Sequence, residues 1–82
     1  MTVNVEGLTP QTKLRRKALA DALTATGFPT TEGSLATMAT RGGGPLFEKW
    51  GRIPLYTWGD ALAWANGRLS KPVRSTSELE AA

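Results

Sequence analysis

Apolar positions recur on a helical period in three stretches of this chain, and two short extended segments lie between the second and third. From Lys13 to Thr26, the residues Leu14, Ala18, Leu19, Ala22 and Leu23 fall at i, i+4, i+5, i+8 and i+9, a single stripe on a helix. Gly27 follows where a helix ends in a left-handed residue. Phe28-Pro29-Thr30-Thr31 predicts a tight connection, because Pro29 disfavours helix at Phe28 and Thr31 can cap a second helix by accepting from a first-turn amide. Glu32 then sits in the first turn, where a negative charge suits the helix dipole. Leu35, Met38 and Ala39 form an inward i, i+3, i+4 triplet, and Thr30, Ser34, Thr37 and Arg41 cluster about a third of a turn away. One side of this helix is expected in the core, and the other presents small polar groups.

Gly42-Gly43-Gly44-Pro45 cannot continue a helix. Leu46 to Lys49 and Ile53 to Tyr56 flank Trp50-Gly51-Arg52 and predict a small hairpin in which Gly51 takes a positive φ and Pro54 lies on an edge strand. Thr57-Trp58-Gly59-Asp60 has the capping-box spacing and opens a third helix expected from about Trp58 to Leu69. Residues 1–11 read as a flexible lead-in and 70–82 as a largely disordered tail, leaving one domain over 12–69. The expected fold is mainly α with a small β-hairpin: helix, tight turn, helix, hairpin, third helix, the order of a minimal winged helix-turn-helix.

Charge and composition narrow the chemistry. In 82 residues there are ten Lys and Arg against seven Asp and Glu, a net charge of +3, with a sequence pI near 9.8. That balance favours a polyanionic partner. With neither Cys nor His, the chain has no thiol nucleophile, imidazole base, Cys/His zinc site or disulfide framework. Asp21 and Asp60 belong to different elements and make no acid/base dyad, and no Lys-Ser/Thr pair follows Gly42 to Gly44 to complete a phosphate loop. No catalytic residue, metal or cofactor is therefore expected, and the chain reads as a non-enzyme. The longest apolar run, Ala61 to Ala65, is far short of the ~20 residues of a membrane span, and Met1 to Pro10 holds no basic residue to start a secretory signal. A cytoplasmic protein with no membrane partner is expected, and its small core favours a binding surface over a cavity.

Three groups of residues are candidates for that surface. Thr31, Glu32, Gly33, Ser34, Thr37 and Arg41 would face a DNA major groove if the second helix reads bases: Arg41 pairing with guanine, Glu32 accepting from a cytosine amine, the small residues allowing close approach. The plainer reading makes Thr31 a cap, Glu32 a dipole partner and the rest a solvated face. Lys49 and Arg52 flank the hairpin tip, where a wing reaches phosphates or a narrow minor groove, or where charge merely discourages strand pairing. Lys13, Arg15, Arg16 and Lys17 put four cations at the start of the first helix, against its dipole, as phosphate contacts or for solubility. Phe28, Phe47, Tyr56, Trp58 and Trp64 are spaced as packing residues. Trp50, at a turn, is a candidate contact with DNA or a neighbouring protomer, or else folds back on the core.

Leu19-Ala20-Asp21-Ala22-Leu23, Ser34-Leu35, Arg41-Gly42-Gly43-Gly44-Pro45, Lys49-Trp50-Gly51-Arg52, and Tyr56 with Asp60 and Trp64 together resemble the small MerR-like, excisionase-type winged helix-turn-helix proteins. The resemblance spans roughly Leu14 to Arg68. It is nearest to the excisionases, or recombination directionality factors, of phages and integrative and conjugative elements. The resemblance implies a bacterial or phage-encoded accessory factor that binds double-stranded attachment-site DNA and directs a site-specific integrase toward excision. Without a dimerisation helix, copies are expected to contact head-to-tail on repeated sites. Two alternatives stay open: a transcriptional regulator using the same fold, and an antitoxin-like or adaptor module that binds protein instead.

Overall fold

A computed structural model of the chain describes residues 7–70, 72, 74 and 75. Its elements, in order, are β1 (Lys13–Leu14), α1 (Arg16–Thr26), α2 (Glu32–Arg41), β2 (Glu48–Trp50), β3 (Ile53–Thr57) and α3 (Trp58–Gly67). Three helices thus combine with a three-stranded antiparallel sheet of order β1-β3-β2, a mixed α/β domain rather than an α domain with an isolated hairpin.

The first helix starts later than its apolar period predicts. Lys13 and Leu14 are extended, paired with Thr57 and Tyr56, and the carbonyl of neighbouring Thr12 accepts the Trp58 amide at 2.9 Å. An apolar residue that faces inward serves a helix stripe or a strand equally well, so Leu14 alone could not distinguish them. α1 has no acid in its first turn, and Arg15 in the N-cap position offers no side-chain bond. Packing supplies what capping does not: Leu19, Ala20, Ala22 and Leu23 are all buried, each Leu contributing roughly 1.5–3 kcal/mol. The far end is tightly closed. Gly27 adopts φ 111°, and the amides of Gly27 and Phe28 donate to the carbonyls of Thr24 and Leu23, the paired bonds of a Schellman ending.

Around α1 the core gathers Leu35 of α2, Tyr56 of β3, and Trp58, Ala61 and Ala65 of α3. Leu8, Leu14, Phe28, Met38, Phe47, Leu62 and Trp64 pack against its margin. Leu8 belongs to the expected flexible lead-in, whose described part is in fact docked: the Gly59 amide donates to the Pro10 carbonyl at 2.9 Å, and Thr12 and Thr9 close a turn. Gly59 permits that approach, since a Cβ there would stand 3.0 Å from the Pro10 carbonyl oxygen. Residues 1–6 lie outside the described residues, as does most of the 70–82 tail.

Two further expectations change. Pro54 lies on the central strand, not an edge strand, yet β1 reaches only Tyr56 and Thr57, leaving Pro54 without a neighbour on that side. In a two-residue hairpin the Trp50–Ile53 pair is the hydrogen-bonded one, so the next pair, Lys49–Pro54, turns its nitrogens outward and loses no ladder bond. Thr57 occupies the N-cap position of α3 but makes no capping bond. Its hydroxyl accepts from Lys13 Nζ at 2.8 Å instead, a charged donor competing with backbone amides.

Candidate functional site

α2 is held by its cap and its inner side. Thr31 Oγ1 accepts the Ser34 amide at 3.0 Å, which makes Thr31 the cap that its position predicts. Leu35 is buried, with Met38 and Ala39 half-buried beside it. Beyond the helix, the Trp64 indole N–H donates to the Gly43 carbonyl at 2.8 Å, and the Arg68 guanidinium lies 4.9 Å from the Trp64 ring centre while donating to Met38 Sδ at 3.4 Å. The C-terminal end of α2 is thereby fixed to α3. Arg68 was not among the sequence candidates; its i, i+4 spacing from Trp64 was the available signal.

The outer side of α2 brings together part of the predicted set. At 100° per residue, Ser34, Thr37 and Arg41 fall within about 60° of one another, all exposed, with exposed Gly33 about 40° beyond Thr37. Glu32 is on the opposite flank, roughly 180° from Arg41, so the two cannot address the same base step. Thr30 is turned into the α1–α2 connection, where its hydroxyl donates to the Phe28 carbonyl and its main chain exchanges bonds with Thr24 Oγ1. Thr37 donates its hydroxyl proton to the Gly33 carbonyl at 3.0 Å, so outward it offers a methyl group and lone pairs rather than a donor. Nothing lies within 4 Å of where a Gly33 Cβ would stand, so packing does not require glycine there. Arg41, in the last turn, suits the helix dipole and pairs with no carboxylate among the described residues.

The hairpin has the register Glu48–Leu55, Lys49–Pro54 and Trp50–Ile53 around a Gly51-Arg52 turn, with Gly51 at φ 65° as its position predicts. Side-chain alternation places Trp50, Ile53 and Leu55 on one face with Glu48, Lys13 and Thr57, and places Lys49 and Pro54 on the face of buried Tyr56. Trp50 is 73% exposed and does not fold back on the core. Lys13 Nζ meets Glu48 Oε1 at 2.8 Å; this hydrogen bond and the ammonium charge hold the Glu48 carboxyl below the usual glutamate range.

The basic run at the start of α1 does not act as one surface. Lys13 is engaged by Glu48 and Thr57, and Lys17 meets Asp21 at 3.4 Å. Arg16 Nε donates to the Tyr56 hydroxyl at 2.9 Å, its guanidinium 5.8 Å from the Phe47 ring centre, and Phe47 in turn tilts against Tyr56 at 5.4 Å. Arg15 is exposed and pairs with no carboxylate among the described residues.

Two open grooves flank α2. One, of about 270 Å³, runs between Phe28, Pro29, Met38, Trp64 and Arg68; the other, of about 210 Å³, lies under the glycine turn between Met38, Leu46 and Phe47. Among the described residues no three metal-binding side chains converge, and no helix is long and apolar enough to cross a membrane. What the surface can do chemically is make hydrogen bonds and offer unpaired positive charge. Comparison with known protein families, curated proteins and solved structures finds no match.

Proposed function

We propose that this protein is a winged helix-turn-helix DNA-binding factor of the excisionase kind, with α2 in the major groove and the β2–β3 hairpin as its wing. The observation that carries the reading is the outer side of α2: a capped, well-anchored helix whose exposed arc combines small side chains with an arginine that pairs with no carboxylate among the described residues. Such a helix can approach base edges closely. Arg41 then pairs bidentately with guanine, and Thr37, its donor already engaged, sets its methyl group against thymine or accepts from a base amine. Arg15, Lys49 and Arg52 supply phosphate contacts, whereas Lys13 and Arg16 are engaged within the fold. Glu32 leaves the base-reading set because of its flank.

A module of this size buries about 600–1,000 Å² on DNA, so specificity comes from several copies bound side by side. On this reading they assemble head-to-tail on attachment-site DNA, bend it, and turn a site-specific integrase toward excision. The test is titration onto the element's own attachment-site duplex and a scrambled duplex at two salt concentrations, with Arg41→Ala alongside. Stepwise, sequence-dependent binding, with Arg41→Ala losing about 1–3 kcal/mol of discrimination, supports the proposal. Equal, salt-labile binding to both duplexes overturns it.

A further inference from the structure

We propose that Trp50 is itself a DNA contact, an apolar wedge set at a base step of the groove that the hairpin enters; this rests on the DNA-binding reading above. The charge around the indole selects the partner. Lys49 precedes it on the opposite face of the ribbon, and Arg52 follows it at the turn, so two cations straddle one exposed aromatic plate. Neither pairs with a carboxylate among the described residues. Glu48, the acid of the hairpin, has its charge offset by Lys13 at 2.8 Å. The tip therefore presents two free positive charges and no free negative one. A duplex groove offers the matching arrangement, two rows of phosphates with apolar sugar edges and base steps between them. Gly51 adds no side chain beside the indole at the turn.

Pairing with Ile53 across the ribbon leaves the indole 73% exposed, so most of this large apolar group remains in water. Insertion of an apolar side chain at a base step unstacks it and kinks the duplex, the distortion that an architectural factor must impose.

Fluorescence provides the test, because Trp58 is buried and Trp64 half-buried, leaving Trp50 the most exposed of the three indoles, and a Trp50→Phe variant gives the background quenching of the other two. Acrylamide quenching is measured with and without a mixed-sequence DNA duplex at low salt, while anisotropy of labelled duplex reports binding independently. The expected result is that bound DNA shields the accessible indole several-fold. Trp50→Ala should weaken duplex binding about tenfold with an unchanged salt slope, and Trp50→Phe should retain most of the affinity. Lys49→Ala and Arg52→Ala should each lower the slope by about 0.9 log units per log unit of salt. Duplex bound while Trp50 stays as quenchable as in the free protein overturns the wedge and leaves the DNA-binding reading intact. No duplex binding at all overturns both. Shielding that rises with protein concentration in the absence of DNA, with dimers in sedimentation, assigns the indole to a second copy and also overturns the proposal.

Discussion

The start of α1 carries one group of cations, the outer side of α2 and the hairpin carry another, and the two groups use their charge differently. In the first, Arg16 reaches across to Tyr56 and Phe47, Lys13 ties β1 to Glu48 and Thr57, and Lys17 meets Asp21. In the second, Arg41, Lys49 and Arg52 are scattered along the chain and pair with no carboxylate among the described residues. A dense run of like charges looks like a ligand site, yet Lys13, Arg16 and Lys17 find partners inside the fold, and of the four only Arg15 finds none among the described residues. Dispersed cations that keep no partner are the better sign of a surface meant for something else.

The largest effect that sharpens this contrast comes from the anchor of the first region. Tyr56→Ala removes a fully buried ring and strands the Arg16 guanidinium, so it should cost about 3–5 kcal/mol in denaturant unfolding. Next, Arg16→Ala and Arg41→Ala should cross over. The first is expected to lower stability by about 1–3 kcal/mol with the salt slope of DNA binding unchanged, and the second to leave stability within about 0.5 kcal/mol while reducing DNA discrimination. Equal losses of DNA affinity from both would erase the contrast.

Gly33→Ala should show the two quantities moving in opposite directions. A methyl group there meets nothing in the protein and favours helix, raising stability by up to about 1 kcal/mol, while on the proposed reading it thickens the DNA-facing surface and should weaken binding. The smallest effect belongs to Glu48. Its folded-state carboxyl releases its proton more readily than in the unfolded chain, so its contribution is complete above the ordinary glutamate range and is lost as pH falls through the lower folded value. The difference in melting temperature between the parent protein and Glu48→Gln should therefore shrink on acidification, and also in high salt, because the pair is exposed.

Much of this was legible wherever the determinant is local. The stripe through Leu19, Ala22 and Leu23, the stop at Gly27, the cap at Thr31 and the turn at Gly51 each depend on neighbours within one or two turns of chain. The exposed arc of Ser34, Thr37 and Arg41 follows from the same helical period. What the period could not show depends on distant partners: β1 exists because Thr57 and Tyr56 arrive beside it, and Arg16 is committed to a ring 40 residues away. Membership of one helix groups Glu32 with Arg41, although rotation around that helix separates them by about 180°. The capping box at Thr57 failed because a lysine from the other end of the domain took its hydroxyl.

The two-residue strand β1 also carries a consequence in time. α1, α2 and the hairpin each close over short stretches of chain, but Lys13 waits for Thr57, 44 positions later. A chain emerging from the ribosome can therefore form its helical pair well before its sheet has a third strand. Closing the long loop is a late, entropically costly step, and until it occurs the edge of β3 at Tyr56 and Thr57 stays open to pairing with another nascent copy.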